Sequence, residues 1–176
     1  SGFTHSGCSN AQGHDTMTGK TITYYGTTVC AGFTSAAYHG LSVSHIAAGV
    51  TTAGVMGVAP SASLHLSTYN NSNGETYFPD HWAAATNNAS SAIVQNNSWG
   101  IDAQLDTVQN YITSNSVTTD TGVAAYWNAA GYTANATSVS NYITALNNFQ
   151  SHGVIVYALS NTTSFTEADF QAALPE

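Results

Sequence analysis

The amino-acid sequence predicts an α/β fold, a parallel β-sheet flanked by helices, and three observations carry that reading. Short apolar runs at residues 63–66, 92–97 and 154–159 have the length and composition of strands. Between them lie stretches whose apolar residues recur at three- and four-residue spacing, clearest at Val139, Tyr142, Ile143, Leu146 and Phe149. Strand and helix therefore alternate, which is the signature of right-handed crossovers between parallel strands. With 176 residues and 43% apolar content, the chain fits one domain, 1–176, with a sizeable core.

Residues 1–37 are rich in Gly, Ser and Thr and read as loops, with one short strand at 21–25. Residues 38–163 read as the α/β core. Its first stretch, YHGLSVSHIAAGV at 38–50, sets His39 before Gly40 and then Val43, Ile46, Ala47 and Val50 on one helical face. That arrangement presents His39 at the mouth of a packed helix and makes it the candidate for chemistry; the alternative is a surface or capping histidine. After a turn-rich connection at 54–60, His65 alternates with leucines and is expected to be a hydrogen-bonded sheet histidine. Asp80 is placed to cap a short helix in which His81 and Trp82 are packing or surface residues.

The strand at 92–97 runs directly into Asn97-Ser98-Trp99-Gly100. A helix is expected next, with Leu105, Val108 and Ile112 on one face and Asp102 and Asp106 near its positive end. Residues 117–137 read as an exposed excursion whose aromatics Tyr126, Trp127 and Tyr132 anchor the loop or line a groove. Gly153 stands where a cap belongs after the 139–149 helix, and 154–159 reads as a strand buried on both faces. Residues 164–176 close the chain with a helix over 166–174, capped by Thr166 and stopped by Pro175.

Charge excludes some functions. Lys20 is the only lysine or arginine against nine acids, for a formal charge of -8. Nucleic acid and anionic membrane surfaces both demand clustered cations, so neither is an expected partner. No run of 18 apolar residues spans a membrane. Nothing near Cys8 or Cys30 has the paired spacing of a zinc site, and no cofactor is expected. A surface of neutral polar groups suits a secreted or cell-surface setting. Cys8 and Cys30 are the only cysteines; an intrachain disulfide is their expected use and two unrelated thiols the alternative.

Taken together with the His39 stretch, GVMGVAPSASLHL (54–66), VQNNSWG (94–100) and GVIVYALSNTT (153–163) resemble successive blocks of the subtilisin-like serine proteases. The resemblance is closest to their secreted and autotransporter branch, and it covers about 38–163. It implies a three-layer α/β fold, incomplete here, and a serine endopeptidase acting by acyl transfer on polypeptides. In that scheme His39 is the general base, favoured in its neutral form by a helix N-terminus. Asn161 is the side-chain oxyanion donor. Ser98, Trp99 and Gly100 form the edge that pairs with the substrate strand.

The family's aspartate stands in an Asp-Ser-Gly pattern, and this chain opens Ser1-Gly2, which would put that residue just before position 1. Asp15 reads as a loop residue. The serine belongs to a Gly-Thr-Ser motif that does not follow Asn161, so the sequence reads as part of a longer protease and is expected to be inactive alone. Calcium is possible by resemblance only, with no site identified. Leu41, His45, Leu159 and Ser160 depart from the family's residues at those positions. A catalytically inactive scaffold or surface adhesive protein is therefore the alternative. A third reading, a polysaccharide-binding module, requires Trp82, Trp99 and Trp127 to share one exposed face.

A Cys8–Cys30 bond would contribute roughly 3 kcal/mol in the chain-entropy description. Intact mass with and without reduction, after alkylation in denaturant, is expected to show the two thiols protected until reductant is added.

Overall fold

The structure, a computed structural model, describes residues 15–26, 35–50, 56–67, 71, 73–99, 102–104, 114, 120–129, 131–158 and 167–169. It is a mixed α/β fold, with four helices, two small parallel sheets and one antiparallel pair among the described residues. The chain forms two compact units, Ser1–Gly74 and Glu75–Glu176. The boundary lies inside the 38–163 stretch read as one core.

In the first unit, a 3-10 turn at Asp15–Met17 leads to β1 (Ile22–Tyr25), then α1 (Ser35–Ala48) and β2 (Leu64–Ser67). β1 and β2 pair in parallel, Ile22 opposite Leu64 and Tyr25 opposite Ser67. Met17 and Leu66 are buried beneath them, with Ile22, Tyr24 and Leu64 packed around. Lys20 fixes the turn: its Nζ donates to the carbonyls of Pro60 at 2.5 Å and Ala62 at 2.7 Å. The chain's one strong cation thus holds the approach to β2.

α1 buries a different face from the one its apolar residues suggest. Gly40, Ser44 and Ala48, four residues apart, are buried, whereas Ile46 is 66% exposed and Ala47 is exposed. The end of the helix is packed closely by backbone. Val58 N–H donates to Ile46 O at 2.9 Å and Ala59 N–H to Ala47 O at 2.8 Å, so residues 57–59 satisfy carbonyls that a helix C-terminus leaves unpaired. A methyl group on Gly57 would stand 2.5 Å from both Gly49 N and His45 O. The glycine of GVMGVAP is therefore required by contact with the helix end.

α1 also starts earlier than expected. Ser35, Ala36 and Ala37 contain no breaker, so the helix runs back through them and His39 lies in its second turn. The N-terminal field that would favour its neutral form falls off within the first turn.

The second unit comprises α2 (Phe78–Asn88), β3 (Val94–Asn97), β4 (Asp102–Gln104), α3 (Asp120–Ala129), α4 (Ala136–Gln150), β5 (Val154–Tyr157) and β6 (Glu167–Asp169). Its core is aromatic. Trp82 of α2 meets Trp127 of α3 edge-on at 5.1 Å, Tyr142 of α4 at 5.5 Å and Trp99 beyond β3 at 4.8 Å. Val123, Ala124, Val139, Ala145 and Leu146 fill the space between the helices.

Several expectations are corrected here. The 117–137 stretch is no exposed excursion, because 120–129 is α3 and buries Tyr126 and Trp127; the aromatics do anchor it. Trp82 and Trp127 are buried at 3% and 0% exposure, so the three indoles form a core cluster and no exposed sugar-binding face. α2 begins at Phe78, with Tyr77 at its N-cap and Pro79 in its first turn, so Asp80 lies inside the helix. Its Oδ1 accepts from Asn141 Nδ2 at 2.9 Å, joining α2 to α4.

α4 is capped by Asn135, whose side chain accepts from Ser138 N–H at 2.7 Å while Ser138 Oγ accepts from Asn135 N–H at 3.0 Å. Ser151, not Gly153, is the C-cap. Gly153 matters for space, since a Cβ there would lie 2.6 Å from the Phe149 ring. β5 is covered on one face: Ile155 packs toward the helices, while Val154 and Val156 are 60% and 47% exposed. Residues 102–104 are strand, where the first turn of a helix is expected, and 167–169 are strand, where the closing helix is expected. The two pair antiparallel, Asp102 opposite Asp169, in segments whose composition does not favour strands. Residues 105–113 lie outside the described residues.

Gly57→Ala is expected to destabilise the chain by about 1–3 kcal/mol through overpacking against the end of α1. Thermal unfolding followed by circular dichroism checks it, with a fall in Tm of at least roughly 2 °C expected.

Candidate functional site

The candidate site is built at the carboxyl ends of β3 and β5. Residues 94–97 and 154–157 are in parallel register, Val94 opposite Val154 and Asn97 opposite Tyr157. Ala158 N–H donates to Asn97 O at 3.1 Å, which carries the pairing one step past the strand. The segments beginning at Ser98 and Ala158 therefore leave the same end of the sheet, where open α/β sheets gather functional groups.

Local hydrogen bonds stiffen this end. Gln95 Nε2 donates to Asn97 Oδ1 at 3.3 Å, and Asn96 Nδ2 donates to Ser98 Oγ at 2.7 Å. Side chains two apart share a face of a strand, so each face has its own tie. Asn97 is 3% exposed, yet its Nδ2 has no hydrogen-bond partner, nor has Gln95 Oε1. Beyond the strand, Trp99 is half-buried and stacks on Trp82. On β5, the Tyr157 hydroxyl meets that of Tyr142 at 3.2 Å. Chemically this end offers an extended segment, 98–99, fixed by a core indole and preceded by a buried amide donor.

The predicted site residues are placed unevenly. Ser98 and Trp99 are described, half-buried, and outside any strand ladder. His39 lies on α1, and its side chain is outside the described part of the structure. Gly100, Asn161, Cys8 and Cys30 lie outside the described residues. Among the described residues no group of three or more His, Cys, Asp or Glu side chains could hold a metal ion, and no helix is long and apolar enough to cross a membrane.

Sequence reasoning missed one pair. His81 is fully buried, and its Nδ1 lies 3.1 Å from Glu75 Oε2. An ionised carboxylate can only accept, so the imidazole presents Nδ1–H to it. The two residues are six apart across a helix start, a spacing with no periodic signature. In the first unit, His65 is on β2 as expected but is not hydrogen-bonded at Nδ1, which is enclosed without a partner. Burial pushes the Tyr24 and Tyr126 phenols up and the Lys20 ammonium down.

Compared with family models, curated proteins and solved structures, the chain matches none.

Glu75→Ala removes the carboxylate from a fully buried imidazole and is expected to cost about 1–3 kcal/mol. Glu75→Gln keeps an acceptor oxygen and is expected to cost less. Urea unfolding of the two variants beside the parent protein measures the difference.

Proposed function

We propose that the chain is part of a secreted subtilisin-like serine endopeptidase, cleaving polypeptides by acyl transfer. The observation that carries this reading is the register of β3 and β5. It sets Asn97 and Tyr157 side by side at the carboxyl ends of adjacent parallel strands, an arrangement that supports a substrate-binding edge after β3 and an oxyanion donor after β5. In this scheme the backbone of Ser98, Trp99 and Gly100 pairs with the substrate strand. Anchoring of Trp99 on Trp82 supports that role, because an edge held by the core costs little ordering when substrate adds.

His39 accepts the proton of the attacking serine and returns it to the leaving amine. Asn161 donates an amide N–H to the oxygen on which charge develops; removing one such donor costs about 2.7–4 kcal/mol of transition-state stabilisation in enzymes of this class. In this scheme the serine and the aspartate that orients the base are not assigned to any residue of 1–176. Without the serine, residues 1–176 can polarise a carbonyl but cannot form an acyl-enzyme.

The second reading is a catalytically inactive scaffold or adhesive protein with the same architecture. The position of His39 in the second turn of α1 favours it, since the helix end contributes less to holding a neutral base there.

Residues 1–176 are expected to hydrolyse no peptide ester and to take up no serine-directed fluorophosphonate. In the chain extended by its native flanks, hydrolysis is expected, and His39→Ala is expected to lower kcat by on the order of 10⁶-fold while leaving the circular dichroism spectrum unchanged. Full activity of that variant would remove His39 from the mechanism, and an extended chain that folds and neither reacts nor hydrolyses would establish the scaffold instead.

A further inference from the structure

We infer that Asn73-Gly74, the last two residues of the first compact unit, is a spontaneous modification site at which the side-chain amide is lost to a succinimide and then to aspartate and isoaspartate. The inference does not depend on the protease reading.

The chemistry needs a backbone nitrogen to reach the neighbouring side-chain carbonyl carbon. Gly74 N attacks Asn73 Cγ; the new C–N bond closes a five-membered imide, the Cγ–amide bond breaks, and the backbone proton leaves with the amide as ammonia. Water then opens the ring at either carbonyl. Opening at one gives aspartate, at the other isoaspartate with its extra backbone methylene. The sum is amide plus water to acid plus ammonia, with no redox step and no co-reactant besides water.

Three features of the structure meet those demands. Asn73 and Gly74 are both exposed, in a turn, so water and general base have access. Gly74 has φ +90°, and nothing lies within 4 Å of where a Cβ would project, so the turn is open on that side and a glycine there leaves the backbone free to bend toward the imide geometry. No described residue accepts from the Gly74 N–H or bonds the Asn73 amide.

Other described asparagines lack this combination. Asn88 is exposed, but the nitrogen that would attack it, Ala89 N, donates to Ala85 O at 3.2 Å and Thr86 O at 3.1 Å. Asn97 is buried and its amide oxygen is bonded by Gln95. Asn128 is held at both amide atoms by Ala134, and Asn135 is the cap of α4. Chain position adds a consequence: conversion places a new carboxylate, and in the iso form a longer backbone, two residues before the Glu75 that bonds His81.

The native chain, incubated in mildly alkaline buffer and sampled over weeks, is digested and mapped by mass spectrometry, with isoaspartyl methylation as a second readout. The peptide holding Asn73 is expected to gain the acidic and isoaspartyl forms several-fold faster than the peptides holding Asn88, Asn97 and Asn128. Asn73→Ser is expected to lose the isoaspartyl signal, and Gly74→Ala to slow it several-fold. Hydroxylamine under native conditions is expected to cut after residue 73. An intact Asn73 while another described asparagine converts, or equal rates at Asn73 and Asn88, would overturn the inference.

Discussion

The second unit depends on the contacts of one indole. Trp82 projects from α2 into the meeting point of α3, α4 and the segment that follows β3, and it is 3% exposed. Aromatic pairs at edge-on and tilted angles contribute about 0.5–1.5 kcal/mol each beyond the area they bury. Four of its ring partners, Phe78, Trp99, Trp127 and Tyr142, come from the three helices and the post-strand segment. Because Trp99 is one of them, the shape of the segment after Asn97 is decided by the core. A site at the end of β3 therefore inherits its rigidity from helix packing.

A second constraint is the shortage of charge. With one lysine, no arginine and nine acids, the chain cannot join its elements by Lys–Glu or Arg–Asp pairs. Neutral polar side chains perform that task. Asn128 clamps Ala134 through both amide atoms, Asn135 caps α4, Asn141 ties α4 to Asp80 of α2, and Asn96 and Gln95 stiffen β3. Such bonds are each worth about 0.5–1.5 kcal/mol net and, unlike surface ion pairs, are little weakened by salt. The abundance of asparagine is a structural feature as much as a solubility one.

What could be read from the sequence followed from period and length. The α4 pattern at Val139, Tyr142, Leu146 and Phe149 is strict enough that the helix and its buried face both emerge, and the strands at 22–25, 64–67, 94–97 and 154–157 are found within two residues. α1 defeated the same rule, because its buried positions are the small residues Gly40, Ser44 and Ala48. Hydrophobicity does not signal Gly40, Ser44 and Ala48 as a contact face. α3 was missed because Asp120–Ala129 carries Thr121 and Gly122 in its first turn, and the burial of Trp127 overrides that weak propensity. The motif singled out Ser98 and Trp99 as an expectation, and nothing in the sequence signalled the Glu75–His81 pair, which exists only through folding.

The β3–β5 pair shows how local and global signals part. Residues 154–157 read V-I-V-Y, a run suited to burial on both faces, and in parallel sheets both faces are normally covered. The second unit covers one. Ile155 and Tyr157 meet the helices, and Val154, Val156 and Val94 stand on the opposite face, each at least 47% exposed. β3 inverts the usual polarity, with Gln95 and Asn97 turned from the side that carries Val94. A strand selected only to pack against α4 would place its valines inward and its amides outward. Two pressures therefore act on these eight residues. One is an outer face on which Val94, Val154 and Val156 lie with Asn96; the other is an inner side of β3 whose amides end in a buried one at Asn97, one residue before Ser98. The first lies away from the helices and the second toward them, so the composition of β3 is not explained by packing against α4 alone.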